Sequence, residues 1–140
     1  MHEKNVSLLK KIYENSKTAV DALGEIQKHI EVADFNEFIA KQSNKYFFIS
    51  EEAGVRLKEF NFIPDDVDVL SKLAFDIMIN LKKKRTSNYA RILIEGCVGG
   101  VNEMIGEIRH SENLNSDCID LANILIETEQ ETIAILQRFL

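Results

Sequence analysis

Apolar side chains return every three or four positions along almost the whole of this chain, and that spacing admits a helix and little else. From Asn5 to Glu31 the repeating set is Leu9, Ile12, Tyr13, Ala19, Val20, Leu23, Ile26 and Ile30. Lys10, Lys11, Glu14, Lys17 and Asp21 fall on the opposite face, and Asn5 is placed to cap the start. After only Val32 and Ala33 a second set opens: Phe35, Phe38, Ile39, Gln42, Tyr46, Ile49, Ala53, Leu57 and Phe60. Asp34 and Glu37 make a D-x-x-E capping pattern at its beginning. Each stretch covers about 27 residues, or ~40 Å of helix. A link so short makes the two antiparallel.

Asn61-Phe62-Ile63-Pro64 stops the second helix, because the residue before Pro is pushed out of the helical region. Pro64, Asp65 and Asp66 suit the first turn of a shorter helix, with Val67, Leu70, Leu73, Ala74, Ile77, Met78 and Leu81 on one face. It ends in Lys82-Lys83-Lys84-Arg85, a basic run that is either a solvated helix end or a docking patch for an acidic partner. Thr86-Ser87-Asn88 offers caps for a helix to about His110. Residues 111–116 are polar and loop-like. A last helix, about 117–139, carries Ile119, Ala122, Leu125, Ile126, Ile133, Leu136 and Leu140 inward.

The chain therefore reads as all-α, a single domain over residues 1–140 made of two long helical hairpins. Some 18 helical residues and seven extended ones in the connector span roughly 45 Å, enough to return along a long helix. A helical crossover over about 65–83 is the favoured arrangement, and a fifth bundle helix is the other. One Pro and six Gly are too few for a fold of many strands and tight turns. A net charge of −6 argues against nucleic acid, no apolar run reaches the ~20 residues of a membrane span, and no signal peptide is evident. Two Cys suit a reducing cytoplasm. Hairpin geometry sets Cys97 and Cys118 ~15 Å apart in height, so they are expected to stay unpaired.

Two hairpins with a crossover of this size, together with Asn5-Val-Ser-Leu-Leu-Lys-Lys-Ile-Tyr at the start and Ile94-Glu-Gly-Cys-Val-Gly-Gly in the third long helix, resemble the ferritin-like superfamily. The likeness is greatest to its small uncharacterised bacterial members with a degenerate metal site. It implies a ferritin-like four-helix bundle far more than an activity. A di-iron or dimanganese carboxylate centre, as the resemblance would have it, needs a Glu from each of two helices and a Glu-x-x-His from each of the other two. Glu107-Ile-Arg-His110 is the single match, and mid-way along the first helix the inward positions hold Ser16 and Val20. A metal site would have to draw on Glu95, Glu107, His110 and Glu129. His29 and His110 fall at opposite ends, and no cofactor is implied.

Glu129 lies on the apolar stripe of the last helix, level with Gly96 and Cys97. A carboxylate there must be hydrogen-bonded, neutralised or wet. It is either part of a polar core layer, with Tyr46 or Ser16 donating to it, or a buried acid serving a metal or small ligand. Gly96-x-x-x-Gly100 permits close approach of a neighbouring helix, or a small cavity. Phe47 and Phe48 widen the apolar face of the second helix beyond one stripe, which calls for a further partner: the crossover helix, with Phe75 and Ile79, or another subunit. The expected function is a non-catalytic ferritin-like bundle in a bacterial cytoplasm, a structural or protein-interaction module whose partner is unknown or is a second copy in a homodimer. The alternative is a divergent metal-dependent oxidase or metal-storage protein.

Overall fold

The computed structural model describes residues 2–64 and 85–140. These residues form four helices and no strand, so the chain is all-α: α1 (His2–Gln27), α2 (Ala33–Glu59), α3 (Thr86–His110) and α4 (Ser116–Leu136). A 3-10 turn at Gln137–Phe139 follows. The helix expected over about 65–83, its basic end and the choice between crossover and fifth bundle helix lie outside the described residues.

Contacts between side chains fix the helix directions. Gln42, Lys45, Tyr46 and Arg56 of α2 reach Thr132, Glu131, Glu129 and Asp117 of α4, so one numbering rises as the other falls. α2 and α4 are therefore antiparallel. Asn5 and Lys11 of α1 reach Asn115 at the start of α4 and Glu107 near the end of α3. At the other pole the Phe35 and Phe139 rings meet at 4.8 Å between centroids. Thus α1 and α4 run one way, α2 and α3 the other, and the two hairpin links sit at opposite poles.

The core follows the helical period. Leu8, Leu9, Ile12, Leu23 and Ile26 of α1 pack with Phe35, Ile39, Ile49 and Leu57 of α2, and with Leu93, Met104, Leu121 and Leu125 from the second hairpin. Phe38 and Phe60 are partly buried at its margin.

Helix ends depart from the sequence reading in several places. α1 starts upstream at His2 and stops at Gln27, short of Glu31, so Asn5 is inside the helix and does not cap it. Its buried side chain instead accepts a hydrogen bond, 2.8 Å, from the backbone N–H of Asn115, the residue preceding α4. Val32 occupies the N-cap of α2 and makes no side-chain cap bond, so Asp34 acts within the first turn through the helix dipole. Arg85 likewise precedes α3 without a side-chain cap, which leaves Thr86-Ser87-Asn88 inside the helix.

α2 ends before the influence of Pro64 is felt. Asn61 adopts φ 60°, Phe62 N–H bonds to the Leu57 carbonyl and Asn61 N–H to that of Lys58, each at 2.9 Å. This is a Schellman closure with Asn in the left-handed position, which Asn tolerates better than most residues. α4 is also turned relative to expectation. Cys118, Leu121, Thr128 and Thr132 are buried, Ile119, Ile126 and Ile133 are only partly so, and Leu140 is 65% exposed. Threonines can occupy the inner face because each hydroxyl bonds back to a carbonyl one turn earlier, Thr128 to Ile124 and Thr132 to Thr128.

Candidate functional site

Midway along the bundle, Gln42 and Tyr46 of α2, Cys97 of α3 and Glu129 and Thr132 of α4 form a polar layer closed in by apolar neighbours. Tyr46 is 1% exposed and Glu129 4%. The Tyr46 hydroxyl donates to Glu129 Oε2 at 2.9 Å and lies 3.1 Å from Thr132 Oγ1 and 3.8 Å from Cys97 Sγ. Gln42 Nε2 donates to Thr132 Oγ1 at 2.7 Å. The four-residue steps from Gln42 to Tyr46 and from Leu125 to Glu129 carry these groups inward on the same stripes as the apolar core.

Counting hydroxyl protons explains how the layer works. With Glu129 ionised, the Tyr46 proton goes to the carboxylate and the Thr132 proton to the Thr128 carbonyl, so none remains between Tyr46 and Thr132. A proton on Glu129 relieves that shortage. Glu129 can then donate to Tyr46, which frees the Tyr46 proton for Thr132.

Burial raises the Glu129 carboxyl from 4.5 to about 7, with Cys97 and Tyr46 as hydrogen-bond partners pulling the other way. Burial also pushes the Cys97 thiol and the Tyr46 phenol well up, and the Glu129 charge adds to both. No described cation pairs with Glu129. The described ion pairs join Lys11 to Glu107, Lys28 to Glu25, Lys45 to Glu131 and Arg56 to Asp117.

Beside this layer is a partly open cavity of about 70 Å³ between α1 and α3. Asn15, Thr18 and Ala19 line it on the α1 side, Gly96, Cys97 and Gly100 on the α3 side, and Glu129 forms part of its wall. A Cβ at Gly100 would stand 2.9 Å from Glu129 Oε1. What approaches Gly100 is thus the carboxylate, where the glycine pattern suggested a neighbouring helix backbone, and the cavity reading describes Gly96 as well. Asn15 Nδ2 is buried without a hydrogen-bond partner.

The other candidates are dispersed. Ser16 is buried, but its hydroxyl donates to the Ile12 and Tyr13 carbonyls of its own helix and not to Glu129. Glu95 and His110 are exposed, and Glu107 is taken up by Lys11. The set Glu95, Glu107, His110 and Glu129 is therefore not gathered at one point, and no group of three or more His, Cys, Asp or Glu among the described residues could hold a metal ion. Cys97 and Cys118 are both buried free thiols. The sequence reading omitted Thr132 and Asn15. The four-residue step from Thr128 to Thr132 was a visible signal for one; nothing marked the other.

No described helix is long and apolar enough to cross a membrane. The chain matches no family model, no curated protein and no solved structure.

Proposed function

We propose that this chain is a ferritin-like four-helix bundle of a bacterial cytoplasm that acts by association and not by catalysis, as an interaction module that pairs with a second copy of itself. The helix directions support the ferritin-like plan: two hairpins with α2 and α3 parallel are what a return connection between them produces. The state of the polar layer supports the non-catalytic part. A thiol and a phenol held protonated by burial are poor nucleophiles, and the charge on the neighbouring Glu129 carboxylate raises both further.

The outer face of α2 is the strongest support for association. Phe47 is 50% exposed, Phe48 60% and Val55 52%, on a helix whose inner face is already packed. Lys41, Lys45, Phe48, Glu52 and Val55 share one side at helical spacing, with Glu51 at its edge. Two copies of α2 laid antiparallel about a two-fold at Phe48 would stack the phenylalanines and bring Glu51 of the second copy to Lys45, which also pairs with Glu131 of its own chain. Such a contact is isologous, with both apolar and charge complementarity.

Native mass measurement across a concentration series tests this. The expected result is a dimer that reverts to monomer in Phe48→Ser, with the helical circular dichroism spectrum unchanged and only the concentration-dependent part of the melting temperature lost. A wild-type chain that stays monomeric throughout would overturn the reading.

A further inference from the structure

We propose that the cavity beside Glu129 is a binding site for a small organic monocation, a guanidinium or alkylammonium group. Three features of the cavity lead there. The cavity wall contains a carboxylate that is 4% exposed and has no described cationic partner. Tyr46 donates to Oε2 and the Cys97 thiol also hydrogen-bonds the carboxylate, while Oε1 faces Gly100, where any larger residue would crowd it. Asn15, across the cavity on α1, holds a buried amide nitrogen with no partner. A half-turn exchanges the nitrogen and oxygen of that amide, so an acceptor can take the place of the unpartnered donor.

Size and lining narrow the class. About 70 Å³ is half the roughly 150 Å³ that accommodates benzene, so the occupant has about three or four non-hydrogen atoms inside the wall. Ala19, Leu23 and Leu93 supply apolar surface. A guanidinium group suits that mixture, because its edge donates in the plane while its weakly hydrated faces rest against hydrocarbon. The net charge of −6 favours entry of a cation over an anion. The cavity is partly open, so the same chemistry can arrive as a free small molecule or as the head of an arginine side chain on a peptide.

Affinity should depend on pH through Glu129 alone. The groups facing it are Tyr46 from α2 and Cys97 from α3, both kept protonated by burial, while α1 presents only the uncharged Asn15, Thr18, Ala19 and Leu23. With Glu129 titrating at about 7, binding should be about tenfold weaker at pH 6 than at pH 8.

The test is amide NMR titration of the full chain with methylguanidinium chloride at pH 8 and pH 6. N-methylurea serves as the uncharged control, and N-acetylargininamide represents the side-chain source. The proposal expects saturable shifts at Gly96, Cys97, Gly100 and the Asn15 side-chain amide. They should weaken tenfold at pH 6, be absent with N-methylurea, and be lost in both Glu129→Gln and Asn15→Leu. Tighter binding of N-acetylargininamide points to a peptide side chain, and binding of methylguanidinium alone points to a free cation. No saturable shift at pH 8, equal shifts with N-methylurea, or shifts that survive Glu129→Gln would overturn the proposal. The Asn15→Leu arm still decides the matter if Glu129→Gln fails to fold.

Discussion

The two levels of this bundle treat charge in opposite ways. At the pole holding the α3–α4 link, Glu107 meets Lys11 and Asp117 meets Arg56 at 2.5 Å, every partner retaining some solvent. Halfway up, Glu129 sits among hydroxyls and a thiol without a described cation. Salt bridges of the first kind gain little, since water already solvates the separate ions. The second arrangement is costly once ionised, and that cost is relieved by a proton or a cation. The ion pairs at that pole can therefore be altered with little consequence, whereas the middle layer responds sharply to charge.

The largest effect should come from reversing the middle charge. Glu129→Lys strands an ammonium among Tyr46, Cys97 and Thr132, and is expected to cost at least about 4 kcal/mol or abolish cooperative folding. Denaturant unfolding or circular dichroism measures it, and an unchanged midpoint would place residue 129 at the surface. Next comes the response to pH. The Glu129 carboxyl is higher in the native state, about 7, than its ordinary 4.5, so the folded chain holds the proton more tightly than the unfolded one. The resulting stability is fully present below about 4.5 and is lost as pH rises through about 7, amounting to about 3 kcal/mol. Glu129→Gln should abolish that component of the wild-type pH slope and be the more stable protein at pH 8, with less advantage at pH 5. Urea titrations of both proteins at the two pH values provide the check.

Much of this contrast was legible in the sequence. Leu9, Ile12, Leu23, Ile26, Phe35, Ile39 and Leu57 fall on helical stripes whose burial follows from period alone. Glu129 is visible as the polar residue on such a stripe, one turn from Leu125. The helix ends were harder, because Asn5 binds Asn115, 110 residues away, and local capping rules carry no information on such a contact. The phase of α4 also slipped. A reading by hydrophobicity prefers Ile126 and Ile133 inside, but the layer needs Thr128 and Thr132, whose hydroxyls satisfy themselves on their own helix. The Gly96-x-x-x-Gly100 spacing leaves close packing and a cavity both open, and only the fold shows that the space beside Gly100 holds a carboxylate.

Two smaller effects separate the middle layer from the pole. Gly100→Leu introduces a side chain where even a Cβ lies 2.9 Å from Glu129 Oε1, and is expected to destabilise by about 1–3 kcal/mol despite the better helix propensity of Leu. A raised melting temperature would mean that Leu fits into the cavity without displacing the carboxylate. Arg56→Ala, at the pole, should cost no more than about 1 kcal/mol, including the loss of its stem packing, and its salt dependence should be slight. A cost comparable with that of Glu129→Lys would erase the distinction between the two levels.

Glu129 is a buried carboxyl with no cationic partner among the described residues, and its own titration is the sharpest check of that state. Carboxyl ¹³C chemical shifts followed from pH 4 to pH 9 in the ligand-free chain should place its midpoint near 7, well above the ordinary 4.5. In Tyr46→Phe the midpoint should move higher still, because the hydroxyl that donates to the ionised form is gone. A wild-type midpoint at or below 4.5 would contradict the account, since it would mean that Glu129 is hydrated or already paired with a positive charge.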